Sequence, residues 1–195
     1  MKIGIIAEDD SDVAVVREVT LTLLRPYRIG FRRFVGGGCG KLRRKCTAWA
    51  TNLVQQGCPW IVVVHDLDVH DEAELRAVLR DAIAPAHAQA SVVLIPRREI
   101  EAWLLYDGAA VAAAFRERRP PRLPGDPESL ADPKRFLRDL VWARFRKDYL
   151  NTVHNSEIAK HVDVARLRRA RSFAPHFDFT ARVRDMVRHA GRTRR

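Results

Sequence analysis

Cysteine is scarce in this chain of 195 residues: Cys39, Cys46 and Cys58 are the only three. The number is odd and no pair has a Cys-x-x-Cys spacing, which argues against a disulfide framework and a zinc ribbon. Long apolar runs are missing too, since nothing approaches the roughly eighteen residues of a membrane span. The opening Met1-Lys2-Ile3 leads straight into a strand pattern without a separate signal segment. These absences together lead us to expect a cytoplasmic protein in a reducing compartment. Two common phosphate-handling motifs also fail. Around Gly36–Lys41 the pattern GxxxxGK[ST] breaks twice, with Val35 at the first glycine position and Leu42 at the hydroxyl position. No histidine precedes His65, so His65-Asp66 lacks the earlier helical histidine of an HD phosphohydrolase.

Acidic residues are in deficit. Lys and Arg total 35 against 24 Asp and Glu, for a formal charge of +11 and a pI near 10.4. Such a field favours phosphate-rich polymers, although arginine enrichment can equally serve to solvate a surface. Apolar residues make up 47% of the chain and charged residues 30%, which argues against extensive disorder. The length suits one substantial domain.

What the sequence does contain begins with two buried-strand patterns that each end in acids. Ile3-Gly4-Ile5-Ile6-Ala7 runs into Glu8-Asp9-Asp10-Ser11-Asp12, and Trp60-Ile61-Val62-Val63-Val64 runs into His65-Asp66-Leu67-Asp68, with Asp71 beyond. Continuous β-branched runs read as parallel strands covered on both faces. In an open α/β sheet the carboxyl ends of such strands meet at one crevice, where carboxylates are costly unless a cation holds them. Two divalent ions about 4 Å apart, as phosphoryl transfer uses them, need such carboxylates. Glu8, Asp66 and Asp68 are the primary candidates, whereas Asp10 and Asp71 read as helix caps or first-turn acids.

The pattern predicts strands at 2–7, 29–35, 60–65 and 91–95, with helices at about 12–25, 41–56 and 72–83 between them. After Pro96 it becomes helical, at 99–105 and 108–118. A cluster of Pro120, Pro121, Pro124, Gly125 and Pro127 then breaks the chain. Further helices are expected at 133–146, 155–161, 163–171 and 178–189, then a basic tail over Arg192–Arg195. The fold class is α/β, divided into a core over 1–118, a proline-rich loop over 119–132, and a basic helical extension over 133–195 packed on the core. Ser156 to Arg169 faintly suggests a helix-turn-helix, but structural packing is the favoured reading. Trp103, Phe173, Phe177 and Phe179 are expected in the core.

A strand ending in glutamate, a later strand ending in Asp-x-Asp, and alternating α/β units between them resemble the TOPRIM domain of topoisomerases, primases and OLD-family nucleases. The resemblance covers about residues 1–106 and implies a Rossmann-like core of about four mainly parallel strands. It implies that Asp66 and Asp68 bind Mg2+ or Mn2+, that Glu8 is a metal ligand or general acid/base, and that Asp12 is a further ligand. Asp9 departs from it, standing where many relatives have glycine. The run Pro96-Arg97-Arg98-Glu99-Ile100-Glu101-Ala102-Trp103, with the glycine loop before Lys41, is similar to stand-alone bacterial TOPRIM proteins, some from phage-defence or mobile-element loci. That similarity makes Glu101 a ligand candidate, beside its plain reading as a first-turn glutamate.

These readings lead to the expectation of a metal-dependent phosphodiesterase, a DNA or RNA nuclease with DNA favoured, for which the resemblance adds an ATPase partner. Lys41, Arg43, Arg44 and Lys45 after the glycine loop, with Arg168, Arg169 and Arg171, are the candidate nucleic-acid contacts. The alternatives are a non-catalytic nucleic-acid-binding subunit or a receiver-like signalling domain. Against a receiver, strand four ends Leu94-Ile95-Pro96 without a hydroxyl residue, and no fifth strand ending in lysine is evident.

Overall fold

A computed structural model describes residues 1–192. The expected basic tail at Arg192–Arg195 lies beyond these described residues, apart from the backbone of Arg192 at the end of the last helix. The first half alternates strand and helix: β1 (Lys2–Ala7), α1 (Asp10–Leu23), β2 (Gly30–Val35), α2 (Cys39–Gln55), β3 (Trp60–Val64), α3 (Glu72–Ile83) and β4 (Ala90–Leu94). Helices α4 (Glu101–Leu104), α5 (Gly108–Ala114), α6 (Pro133–Phe145), α7 (Asn151–His161) and α8 (Ala174–Arg192) follow. Among the described residues no helix is long and apolar enough to cross a membrane.

The four strands form one parallel sheet in the order β2-β1-β3-β4, so the fold is α/β. The chain moves from β1 to β2 on one side and then crosses to β3 on the other. This puts the topological switch point, where open α/β sheets bind ligands, at the carboxyl ends of β1 and β3.

Alternation along the strands divides the core. Ile3, Ile5, Trp60, Val62, Val64, Val92 and Leu94 face one layer, in which Val15, Val16 and Val19 of α1 continue into Leu137, Val141, Ile158, Phe173, Phe179 and Val183. The helices after the proline cluster therefore share one apolar core with the sheet. Ile6, Ile61 and Val63 face the opposite layer, made by Leu42, Cys46 and Leu53 of α2 and Leu75 and Leu79 of α3. Helix α2 lies so close to β1 that a Cβ on Gly4 would stand 2.8 Å from Leu53 Cδ1.

Both sheet edges carry arginines. The Leu94 carbonyl faces β3, where it accepts from the His65 N–H at 3.1 Å, so the Val93 carbonyl faces outward and accepts from Arg76 at 2.7 Å. On the β2 edge Arg32 and Arg33 are exposed, and Arg33 pairs with Asp10 at 2.9 Å.

The helix expected at 163–171 does not form. Instead there are two short 3-10 turns, Arg166–Arg169 and Arg171–Phe173, separated by Ala170 in extended conformation. The buried Glu128 carboxylate takes the backbone N–H groups of Arg171 (2.8 Å) and Ser172 (3.1 Å), which removes them from any continuous helical ladder. The second helix of the faint helix-turn-helix is likewise absent, its place taken by the 3-10 turn Arg166–Arg169. Helix α5 stops at Ala114 rather than near 118, because Arg116 turns left-handed (φ 56°) and the Glu117 N–H closes back on the Ala112 carbonyl.

Candidate functional site

The acids at the ends of β1 and β3 meet through a backbone substitution. His65 N–H and Leu67 N–H donate to the carbonyls of Leu94 and Pro96, which extends the β3–β4 ladder by two residues. The intervening Asp66 N–H points the other way, toward β1, whose strand has already ended. Glu8 fills that gap, and its Oε1 accepts from the Asp66 N–H at 3.0 Å. The glycine loop fixes Glu8 from behind, with the N–H groups of Gly36 and Gly37 donating to the Ala7 and Glu8 carbonyls at 2.9 and 2.8 Å. Gly37 and Gly38 take positive φ values of 63° and 124°, conformations that side chains disfavour, and from there the chain enters α2.

His65 is fully buried. Its Nδ1 lies 2.7 Å from the Asp66 carbonyl and 3.0 Å from Glu8 Oε1. Both neighbours are acceptors, so Nδ1 carries the proton, and burial lowers the imidazole pKa toward the neutral form. Nε2 is buried without a hydrogen-bond partner. This histidine is therefore satisfied on one nitrogen only.

Asp12 and Glu101 approach Asp66 from α1 and α4. Asp9 caps α1, accepting from the Asp12 N–H at 3.0 Å, while Asp12 Oδ2 accepts from the Asp9 N–H at 3.3 Å. Asp12 thus combines a helix-cap role with a position among the clustered acids, and Asp71 caps α3 as expected. Burial first, then the charges of Asp12, Glu8, Glu101 and Asp68, push the Asp66 carboxyl up to about 10. Burial, then Asp9, Glu101 and Glu8, push Asp12 up to about 8. Glu8 and Glu101 are also raised, chiefly by burial. Asp66 Oδ1 is buried without a hydrogen-bond partner. Asp68 is exposed at the rim in a left-handed conformation (φ 47°).

Glu101, only 2% exposed, collects three partners on Oε1: the Tyr149 hydroxyl at 3.1 Å, Asn155 Nδ2 at 3.0 Å and Lys134 Nζ at 3.8 Å. Burial works against the Lys134 ammonium, but Glu101 and Glu99 outweigh it and hold its pKa above the usual lysine range. Glu99 is half-buried and accepts from the Lys134 backbone N–H at 2.9 Å.

The cationic candidates separate into two groups. Lys41, Arg43, Arg44 and Lys45 are exposed on the first turns of α2, where Arg43 opposes the Glu8 charge. Arg168 and Arg169 serve other contacts: Arg168 lies over Phe177 at 4.7 Å, while Arg169 lies over Tyr106 at 5.6 Å and donates to the Gly125 carbonyl at 2.8 Å. Arg171 is exposed beside Glu128. Sequence reasoning passed over Arg97 and Arg98, although they directly follow the end of β4. With Asp68, His70 and Ser129 they line a cavity of about 470 Å³ beside the acids. Arg98 is also left-handed (φ 68°) and donates to the Asp68 carbonyl at 3.4 Å. Lys134, Tyr149 and Asn155 were missed as well and carry no local motif.

An all-oxygen carboxylate set suits a hard divalent cation. As they stand, no three His, Cys, Asp or Glu side chains among the described residues are gathered closely enough to hold one. The donor chemistry therefore fits an ion, while enclosing it would require side-chain rotation.

A profile of the family described as a domain of unknown function, DUF4276, matches residues 39–179, well over half of the chain. The chain belongs to DUF4276. The matched span includes Asp66, Asp68, Glu101, Lys134, Tyr149 and Asn155, and begins after Glu8 and Asp12. No curated protein and no solved structure matches the chain.

Proposed function

We propose that this protein is a divalent-metal-dependent phosphodiesterase acting on nucleic acid, with DNA the favoured substrate, and that its sheet is a TOPRIM-like core. The observation carrying this reading is the convergence of Glu8, Asp12, Asp66 and Glu101 at the switch point, with their charges raising one another's pKa. Mutually repelling carboxylates persist where a cation is to be bound.

Asp66 and Asp68 would hold Mg2+ or Mn2+ with Glu8, and Asp12 and Glu101 would support a second ion. When bound, such ions stabilise charge on the phosphoryl oxygens and lower the pKa of water. Glu8, half-buried and with its carboxyl pushed above the usual glutamate range by burial, would take or deliver the proton, with His65 Nδ1–H orienting it. Arg43 on one side, and Arg97 and Arg98 on the other, contact the flanking phosphates of the polyanion. A role in phage defence alongside an ATPase partner follows from the TOPRIM resemblance alone.

The test incubates wild type and an Asp66→Asn/Asp68→Asn double variant with circular DNA, linear DNA and RNA, in Mg2+, Mn2+ or EDTA. Cleavage that requires both the metal and the two aspartates supports the proposal. Salt-sensitive binding with no cleavage under any condition would favour a binding subunit.

A further inference from the structure

The geometry points to a polyanion site away from the acids: a hollow lined by Arg116, Arg118, Arg119 and Arg144 that grips the phosphate backbone of a nucleic acid. This inference rests on the nucleic-acid part of the reading above and on none of its metal chemistry. The hollow has a volume of about 510 Å³, and Glu117 and Phe145 complete its wall. Three of the arginines come from the turn after α5 and the fourth from the last turn of α6. Phe115 and Phe145, with ring centroids 5.9 Å apart, hold these two helix ends together. All four arginines are exposed.

Two nearby features could have absorbed this charge, and Lys147 occupies both. Its Nζ donates to the Phe115 carbonyl at 2.6 Å and to Glu117 Oε1 at 2.8 Å. The carbonyl end of a helix attracts cations, but at α5 a lysine already covers it. Glu117, the carboxylate in the lining, is paired with that same lysine. Among the described residues none of the four arginine side chains is paired with a carboxylate. Arg116 is also left-handed (φ 56°), a region that a residue other than glycine enters at a cost, and the reversal there brings Arg118 and Arg119 round beside Arg144.

Guanidinium forks match phosphate oxygens bidentately, and four of them drawn from two segments suit a run of phosphates better than one small ion. Helix α6 links this hollow to the acids. It has 13 residues and is about 20 Å long. In its first turn Lys134 pairs with Glu99 and Glu101, and its last turn borders the hollow. With a phosphate about every 3.4 Å along one strand of a duplex, roughly six nucleotides span that length, so a single nucleic acid can meet both.

The experiment follows the fluorescence anisotropy of labelled DNA and RNA duplexes bound by the full-length protein in EDTA at several salt concentrations. It compares wild type with Arg118→Ala/Arg119→Ala, with Arg144→Ala, and with Arg25→Ala/Arg28→Ala. The last pair removes the same charge as the first from exposed positions between α1 and β2, at the amino ends of the strands. Every substitution removes an exposed side chain, so the fold is expected to persist, which circular dichroism checks. Arg118→Ala/Arg119→Ala is expected to weaken binding about tenfold or more and to make the slope of log K against log salt shallower by about 2, with Arg144→Ala shallower by about 1. Arg25→Ala/Arg28→Ala should stay within about twofold of wild type. Hollow variants that behave like Arg25→Ala/Arg28→Ala would overturn the site and leave nucleic-acid binding standing. Displacement of the labelled duplex by polyglutamate as readily as by unlabelled duplex would assign the hollow to an acidic protein and overturn it too. A wild type that binds neither DNA nor RNA would remove this inference together with the nucleic-acid reading.

Discussion

The carboxylate of Glu8 stands in for a missing strand residue, accepting at 3.0 Å the Asp66 N–H that β1 is too short to receive. The bond locks the first acid to the backbone of the second across 58 positions of sequence. Glu8 thereby belongs to the sheet's hydrogen bonding as much as to the acidic cluster. Glu8→Ala is expected to combine lost cleavage with destabilisation of about 1–3 kcal/mol, because it strands a partly buried N–H. Glu8→Gln retains an acceptor and should preserve most of the stability. Urea unfolding of the two variants checks this.

Asp66→Asn should remove cleavage yet stabilise the metal-free protein at neutral and alkaline pH. The folded-state pKa of Asp66, about 10, lies above its unfolded value near 3.8. Its contribution is thus fully present below about pH 3.8 and is lost as pH rises toward 10. In EDTA the substitution should raise the melting temperature by several degrees at pH 8, and the gain should shrink toward pH 4. Thermal melts across that range decide it.

His176 should act with the opposite sign. Fully buried, with Nε2 2.9 Å from Thr20 Oγ1, it has its pKa lowered by burial to about 3. Its contribution is present above the unfolded value near 6.5 and declines as pH falls toward 3, because the unfolded state takes up the proton first. His176→Gln should flatten the acid limb of the stability profile, read from urea midpoints between pH 7 and pH 4.

Arg97→Ala/Arg98→Ala should weaken oligonucleotide binding and make it less dependent on salt. Removing one arginine–phosphate pairing lowers the slope of log K against log salt by about 1, so the double variant should show a slope shallower by about 2. Arg168→Ala, whose guanidinium lies over Phe177, should change the slope little. Fluorescence anisotropy in EDTA at several salt concentrations measures both.

Glu128→Ala should be among the most destabilising single changes. It would leave the N–H groups of Arg171 and Ser172 without their acceptor. A loss of about 2–4 kcal/mol is expected for two such stranded donors, checked by chemical denaturation.

The sheet was legible because β-branched runs with acids at their ends have few other readings, and the order β2-β1-β3-β4 brings Glu8 beside Asp66. Asp12 was reached only through what the TOPRIM resemblance implies. The partners of Glu101 were not, since Lys134, Tyr149 and Asn155 lie 33, 48 and 54 positions downstream and reach it only through tertiary packing. The same limit defeated the helix expected at 163–171. Its residues favour a helix locally, but Glu128, 43 and 44 positions before Arg171 and Ser172, holds their N–H groups. Sequence patterning conveys which face a residue occupies, whereas a distant carboxylate leaves no trace in the periodicity of the segment it captures.

The arginines at the two sheet margins bear on how the protein behaves at high concentration. An open parallel sheet offers unpaired backbone groups along β2 and β4, and such margins recruit strands from other molecules into fibres. The guanidinium of Arg76 already occupies the outward carbonyl of Val93, and Arg32 and Arg33 place positive charge along β2. A strand approaching β4 would meet a carbonyl already taken by Arg76, and one approaching β2 would meet the exposed Arg32 and the Arg33–Asp10 pair, so neither margin is a bare template for added strands.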